Sequence, residues 1–363
     1  MGRHSTTTEK VLNDHFARVR LHASHSSRSN SMSHFPVTHS NLSATHLGLF
    51  LQDKYPFSGE VTCRLVRSGL NDSYLVQAGD EKFIFRVYSL NWREKHEILE
   101  EIRLLMLLHE NGIVVSYPIR DNTHEYIYTF EAPEGERLGV LFSFAEGEKL
   151  QNYSGEAHHN VGVLMARFHQ ITEGLTLQRT TYNADTLITT PLDQLSQFLP
   201  STTEEWQYMK SLQDFLLREL QSVNTAELRQ GAVHLDIWFD NLNITKDLAI
   251  TLFDFDFCGN GWLCLDIAYY MMQLFNVERE DAVCRSKLDS FIAGYESITI
   301  ISDEEKRLLP QLGLALNLFY LGNMCRRFEN WSNVFLSEMY LKRFVIGIVK
   351  RYADIHGLPD SIR

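Results

Sequence analysis

The apolar positions change period partway along the chain. Residues 46–56 (HLGLFLQDKYP) predict a short amphipathic helix stopped at Pro56. Residues 61–88 alternate apolar and polar positions in three runs. SGLND separates the first two, and Gly79–Asp80 marks the turn into the third, KFIFRVY. Residues 93–111 switch to helical spacing, with Ile98, Ile102, Leu105 and Leu108 near one face and Gly112 at the stop. IVVSYPI, EYIYTFEA and RLGVLFSF then predict two or three further strands. After Gly147 the helical period dominates, over 155–172, 203–223, 264–277, 280–297, 303–326 and 333–354. A β-rich island at 231–257 interrupts it. The expected class is therefore α+β. A small antiparallel sheet with one long helix precedes a larger, mostly helical part, and a cleft lies between them.

Composition narrows the partners. The 363 residues are 44% hydrophobic and carry a net charge of −12, which disfavours sequence-general binding to nucleic acid or an anionic membrane. The five cysteines include no CxxC pair and are expected to be reduced thiols, in keeping with a cytoplasmic protein. No apolar run is long enough to span a bilayer. The first 44 residues stand apart. Eight Ser and six His fall within the first 40, without the apolar core of a secretory signal. A disordered extension over 1–44 is the expectation, with Met32 as an alternative start.

The chemistry concentrates in GAVHLDIWFDNLNITKDLAITLFDFDFCGNGW, residues 231–262. His234, Asp236 and Asn241 fit H-x-D-x-x-x-x-N, and Asp254 follows Asn241 by thirteen residues, beyond two apolar strands. A turn rich in Asp and Asn is common between strands. Three placed polar groups between apolar strands fit phosphoryl transfer better. That reaction needs an oriented nucleophile, a phosphoryl group held in line and a metal to neutralise charge. Asp236 is the expected base. Asn241 and Asp254 supply oxygen ligands suited to magnesium, and His234 braces the loop.

This segment resembles the aminoglycoside phosphotransferase and choline kinase superfamily, and FDFDFCGNGWLCLDIA is especially similar to type II homoserine kinases. The resemblance covers residues 45 to 330 and implies a protein-kinase-like, two-lobed fold that uses ATP and Mg2+, with an N-lobe over 45–142 and a C-lobe over 143–363. RSGLNDSY resembles the family's phosphate-covering turn, which assigns Gly69 and Asn71 to it. Arg86 stands where the family commonly has Lys, with Lys82 as a lesser candidate. Glu101 matches the cation's partner, with Glu97 and Glu100 as alternatives. LFSFAEG resembles the hinge, whose backbone at Ser143 and Ala145 would meet adenine. Asp266 matches an aspartate that braces the catalytic loop, and His169 is read as structural. HLD stands where many relatives have HGD, and Leu235 is expected to have a negative φ.

The acceptor site is expected on the helical part, facing Asp236. Its candidates are Trp238, Asp256, Trp262, Tyr269, Tyr270, Arg326, Arg327 and Trp331. Asp256 is expected to support a second metal or the acceptor hydroxyl. The favoured function is phosphorylation of a small hydroxylated metabolite such as an amino alcohol, homoserine, a sugar or an aminoglycoside. A bacterial stress-response protein kinase and a silent nucleotide-binding pseudokinase are the rival readings.

Overall fold

The computed structural model describes residues 35–150, 152–328 and 336–358. The chain divides into two units, Met1–Thr38 and His39–Arg363. In the first, only residues 35–38 are described, and they have no helix or strand. Residues 1–34 of the expected extension, and Trp331, lie outside the described residues.

In the second unit, helix α1 (Ala44–Lys54) precedes strands β1 (Val61–Arg67), β2 (Asn71–Ala78) and β3 (Glu81–Tyr88). Helix α2 (Lys95–Glu110) follows, then β4 (Ile127–Ala132) and β5 (Gly135–Ser143). The five strands form one antiparallel sheet in the order β1-β2-β3-β5-β4. Alternation gives it two apolar faces. One packs with α1 through Leu47, Leu51, Tyr74, Val76 and Phe85. The other, with Tyr88, Val140 and Phe142, joins the buried side of α2 and the helical lobe's core.

IVVSYPI does not form a strand. Pro118 cannot donate to a ladder, and the segment makes only isolated bridges, Val115 to Leu252 and Pro118 to Phe142. It thereby stitches the sheet lobe to the β-island. Gly147, at φ +99°, closes the hinge. A Cβ there would lie 2.6 Å from the Ile244 carbonyl carbon, so the chain can pass this close to the island only as glycine.

The helical lobe contains α3 (Gly155–Thr172), α4 (Thr190–Leu195), α5 (Glu204–Gln221), α6 (Cys264–Val277), α7 (Asp281–Glu296) and α8 (Asp303–Arg326), then α9 (Glu338–Phe344) and α10 (Arg351–Ile355). Local chemistry starts several of them. Ser154 caps α3 by accepting from the Ala157 N–H, and Ser302 with Glu305 forms a capping box on α8. Short strands β6 (Gln230–Val233), β7 (Leu242–Ile244), β8 (Ile250–Leu252) and β9 (Gly259–Trp262) build the island, with β6 paired to β9 and β7 to β8. β9 and the helical turns at 185–195 have no counterpart among the expected elements. GNGW carries too little apolar pattern to signal a strand.

Helices α3 and α7 cross at glycines. A Cβ on Gly162 would lie 2.0 Å from the Phe291 carbonyl oxygen, and one on Gly294 would lie 2.0 Å from that of His159. Alanine normally favours a helix over glycine by about 0.5–1 kcal/mol. Forcing two backbones apart costs about 1–3 kcal/mol. The second effect wins, so Gly162→Ala is expected to destabilise the protein by about 1–2 kcal/mol, read as a lower urea midpoint at unchanged slope.

Candidate active site

The segment from His234 to Asn241 lies between β6 and β7, and one carboxylate holds its backbone. Asp266, in the first turn of α6, is fully buried. Its Oδ1 accepts the Leu235 N–H at 2.6 Å and its Oδ2 accepts the His234 N–H at 3.0 Å. His169 Nε2 lies 3.1 Å from the same Oδ2, and its Nδ1 is 2.7 Å from the Tyr295 hydroxyl.

His234 links the loop to the end of β8. Its Nε2 donates to the Phe253 carbonyl at 3.2 Å, and its Nδ1 accepts the Asp236 N–H at 3.1 Å. One neutral tautomer satisfies both bonds. Burial keeps the ring neutral by lowering its pKa. A protonated ring would lose the second bond.

Leu235 has φ +63°, not the negative value expected. Its N–H is held by Asp266 and its carbonyl accepts from the Tyr320 hydroxyl at 2.5 Å. These bonds and a fully buried side chain impose a conformation that costs a non-glycine residue about 1–2 kcal/mol. Glycine would relieve that cost but empty a leucine-sized volume, worth about 2–5 kcal/mol. Burial outweighs strain. Leu235→Gly is expected to lower stability by about 2 kcal/mol, measured by thermal or urea denaturation.

Asp236 is fixed at both carboxylate oxygens. Tyr269 donates its hydroxyl to Oδ1, and Asn241 Nδ2 donates to Oδ2 at 2.7 Å and to the Asp236 carbonyl at 3.0 Å. Burial raises its pKa well above the usual carboxylate range. The charge of Asp254 adds to this, while the Tyr269 and Asn241 bonds oppose it.

Asp254 sits just after β8 in the left-handed region, at φ +65°. Its Oδ1 meets Arg86 Nη2 at 2.9 Å, and Arg86 Nη1 meets Glu101 Oε1 at 3.4 Å. Burial opposes the Arg86 charge, but Asp254, Tyr88 and Glu101 outweigh it and raise the pKa. Glu101 also takes bonds from Tyr88 at 3.2 Å and Arg179 at 3.3 Å. Glu97 and Glu100 instead pair with Arg93 and Arg103, and Lys82 is exposed beside Phe144.

Asp256 does not present a free carboxylate. It is 1% exposed, with Oδ2 accepting from Trp92 Nε1 at 2.6 Å and Oδ1 from Arg93 Nε at 3.3 Å. Arg93 and Arg179 also bond its carbonyl. Burial disfavours its charge, yet Arg93, Arg86 and Arg179 lower its pKa. It ties the β3–α2 connection to the segment after Asp254, so both of its oxygens already hold structural partners on the wall of the polar chamber.

The glycine turn is pinned in the same way. Arg137 is wholly buried and bonds Asp72 Oδ2 at 2.9 Å and the Tyr88 carbonyl at 2.8 Å. Asn71 accepts the Ser89 N–H at 3.2 Å.

These elements enclose two adjoining chambers. The apolar one, about 340 Å³, is walled by Ile84, Leu105, Phe142, Phe144 and Phe253, with Ala145 at its edge. The polar one, about 420 Å³, takes in Gly69, Asn71, Asp236, Asp256, Tyr320 and Arg327. Arg67, Ser73, Arg86 and Asp254 border both. Ser143 lines neither. Its N–H goes to the Tyr117 carbonyl at 2.8 Å, and its own carbonyl accepts from Ser116 Oγ at 2.5 Å. Among the acceptor candidates, Arg327 reaches the polar chamber, Tyr269 holds Asp236, and Trp238 and Tyr270 line a separate cavity. Arg326 lies over the Trp92 ring and borders another small cavity, and Trp262 pairs with Gln230 in the island. Arg137, Arg179 and Tyr320 were not foreseen. A buried arginine has the same sequence signature as a solvated one.

Residues 62–300 match the model of the phosphotransferase enzyme family. A homoserine kinase of Brucella anthropi is 25% identical over 319 residues, covering 87% of this chain and 93% of its own. An uncharacterized protein of Synechocystis is 28% identical over 281 residues, 77% of each chain. Among solved structures, a microcompartment-associated aminopropanol kinase superposes with a TM-score of 0.72 at 20% identity, over 86% of this chain and 99% of its own. An amicoumacin kinase in complex with AMP-PNP and Ca2+ gives 0.68 at 19% identity, over 86% and 96%. The structural likeness shows a protein-kinase-like fold. The family match spans more than half of the sequence and includes the loop from His234 to Asp254, so the chain belongs to the phosphotransferase enzyme family.

Proposed function

We propose that the protein transfers the γ-phosphoryl group of Mg-ATP to a hydroxyl of a small metabolite. One observation carries this reading. Asp236, fixed at both oxygens, lines the same polar chamber as Asp254, Arg86 and the Gly69 turn. Asp236 orients the acceptor hydroxyl and accepts its proton as the bond to phosphorus forms. Arg86 offers a fork of donors to phosphate oxygens, with Glu101 setting its direction. The apolar chamber suits adenine. Because the Ser143 backbone and the Ala145 carbonyl are engaged, the Phe144 backbone and the Ala145 N–H are the hinge groups left to contact the base.

The donor set fits magnesium. Both Asn241 Nδ2 bonds go to Asp236, which leaves Asn241 Oδ1 to serve, with the Asp254 carboxylate, as a ligand oxygen. Among the described residues no group of three His, Cys, Asp or Glu forms a cage, so phosphate and water oxygens would complete the shell. The cation, when bound, supplies charge neutralisation on the transferring phosphoryl group.

A turnover screen with ATP against homoserine, ethanolamine, choline, sugars and aminoglycosides tests the reading. Transfer to at least one acceptor is expected, abolished by EDTA and restored by magnesium. Mg-ATP binding without transfer to any acceptor would favour the silent alternative. Failure to bind nucleotide would overturn both.

A further inference from the structure

Helix α2 carries Glu101, and side-chain contacts tie that helix to residues 176–179 of the helical lobe. Arg103 Nη2 donates to the Thr176 carbonyl at 2.8 Å, and the Gln178 N–H donates to Glu100 Oε2 at 2.8 Å. The buried contact is made by Arg179. Its Nη1 donates to the Glu97 carbonyl at 3.1 Å and to Glu101 Oε2 at 3.3 Å, and its Nη2 donates to the Asp256 carbonyl at 2.5 Å. The segment that carries Arg179 is itself fixed to β9. Asn260 Oδ1 accepts the Leu177 N–H at 2.7 Å, and its Nδ2 donates to the Leu177 and Arg179 carbonyls at 2.9 and 3.2 Å. The Asn260 N–H donates to the Thr180 carbonyl at 2.9 Å.

Two of the Arg179 bonds go to backbone carbonyls, and these alone would tie the lobes together. The bond to Glu101 acts on the site. Glu101 is 1% exposed and divides its oxygens. Oε1 faces Arg86 Nη1 at 3.4 Å, and Oε2 faces Arg179 and the Tyr88 hydroxyl. The Arg179 side chain is wholly buried, so solvent screens its charge little. Burial raises the Glu101 pKa, and Arg86 and Arg179 oppose that rise. Without Arg179 the carboxylate would face one cation and turn with it.

We propose that Arg179 is a positioning residue. It anchors Glu101 from the helical lobe, and thereby sets the direction in which Arg86 presents its guanidinium to the nucleotide phosphates. This rests on the phosphate role proposed for Arg86.

Calorimetry on the full chain separates this role from a structural tie. The probes are Mg-ATP and adenosine, which has no phosphate for Arg86 to meet. Arg179→Met is expected to weaken Mg-ATP binding by about tenfold or more and to leave adenosine within about twofold. Arg179→Lys keeps a cation without the planar fork and should recover part of the loss. In an Arg86→Met background, neither replacement should change the ratio of Mg-ATP to adenosine affinity, because Arg179 acts through Arg86. Arg179→Lys decides the matter if Arg179→Met fails to fold. Equal loss for both probes, no loss for either, or a loss that persists in Arg86→Met overturns the positioning role and leaves a tie between lobes. A wild type that binds Mg-ATP no more tightly than adenosine overturns the phosphate role of Arg86, and this inference with it. A chain that binds as expected yet phosphorylates nothing keeps the role of Arg179 and loses the kinase reading.

Discussion

Asp236→Asn is expected to lower kcat by about 10²–10⁴-fold, the range lost with a general base, while the Kd for Mg-ATP stays within a few-fold. The amide fits the space of the carboxylate. It can accept from Asn241 and donate to Tyr269, which already accepts from Gln273. Folding should therefore survive, and the defect should fall on the chemical step. Single-turnover kinetics with a saturating acceptor separate the two. Transfer at close to the wild-type rate would show that Asp236 is not the base.

A second large effect is expected from Asp266→Asn, a residue away from both chambers. Its two oxygens accept two backbone N–H groups and face His169, all in the buried interior. An amide can accept on one side only, so one buried donor meets another. Hydrogen bonds to a charged group contribute about 1.5–3 kcal/mol each, and losing one inside leaves a desolvated N–H. We expect a stability loss of about 3 kcal/mol. Displacement of the Leu235–Asp236 backbone should also reduce kcat by about 10²-fold, as a 1 Å misplacement can. Melting temperature and kcat, measured together below the transition, check both parts. A variant that melts as wild type and turns over normally would show that the loop holds its shape without this carboxylate.

The parts legible in the sequence are those where pattern and geometry share a period. The order of β1 to β5 around α2 follows from alternation giving way to helical spacing, and the spacing from His234 to Asp254 marks the loop because two strands of fixed length separate its polar groups. What was not legible depends on partners distant in the chain. Arg137 and Arg179 look like ordinary surface cations until Asp72 and Glu101 close on them. Asp256 resembles a ligand by its place two residues after Asp254, yet Trp92 and Arg93 take its oxygens, and nothing near either residue announces that contact. The sign of φ at Leu235 is set by Asp266 and Tyr320, 31 and 85 residues away.

Arg86 and Asp254 hold each other at the border between the two chambers. Each is the other's substitute for the charge it would face in the proposed reaction. A bare cation reaching Asp254 would leave the guanidinium with Glu101 alone, and a metal-free nucleotide drawing away Arg86 would leave the Asp254 carboxylate without its cation. A metal already chelated by the nucleotide's phosphates resolves both at once. In the proposed reaction the pair would therefore act on order of arrival, favouring metal and nucleotide as one complex over either alone.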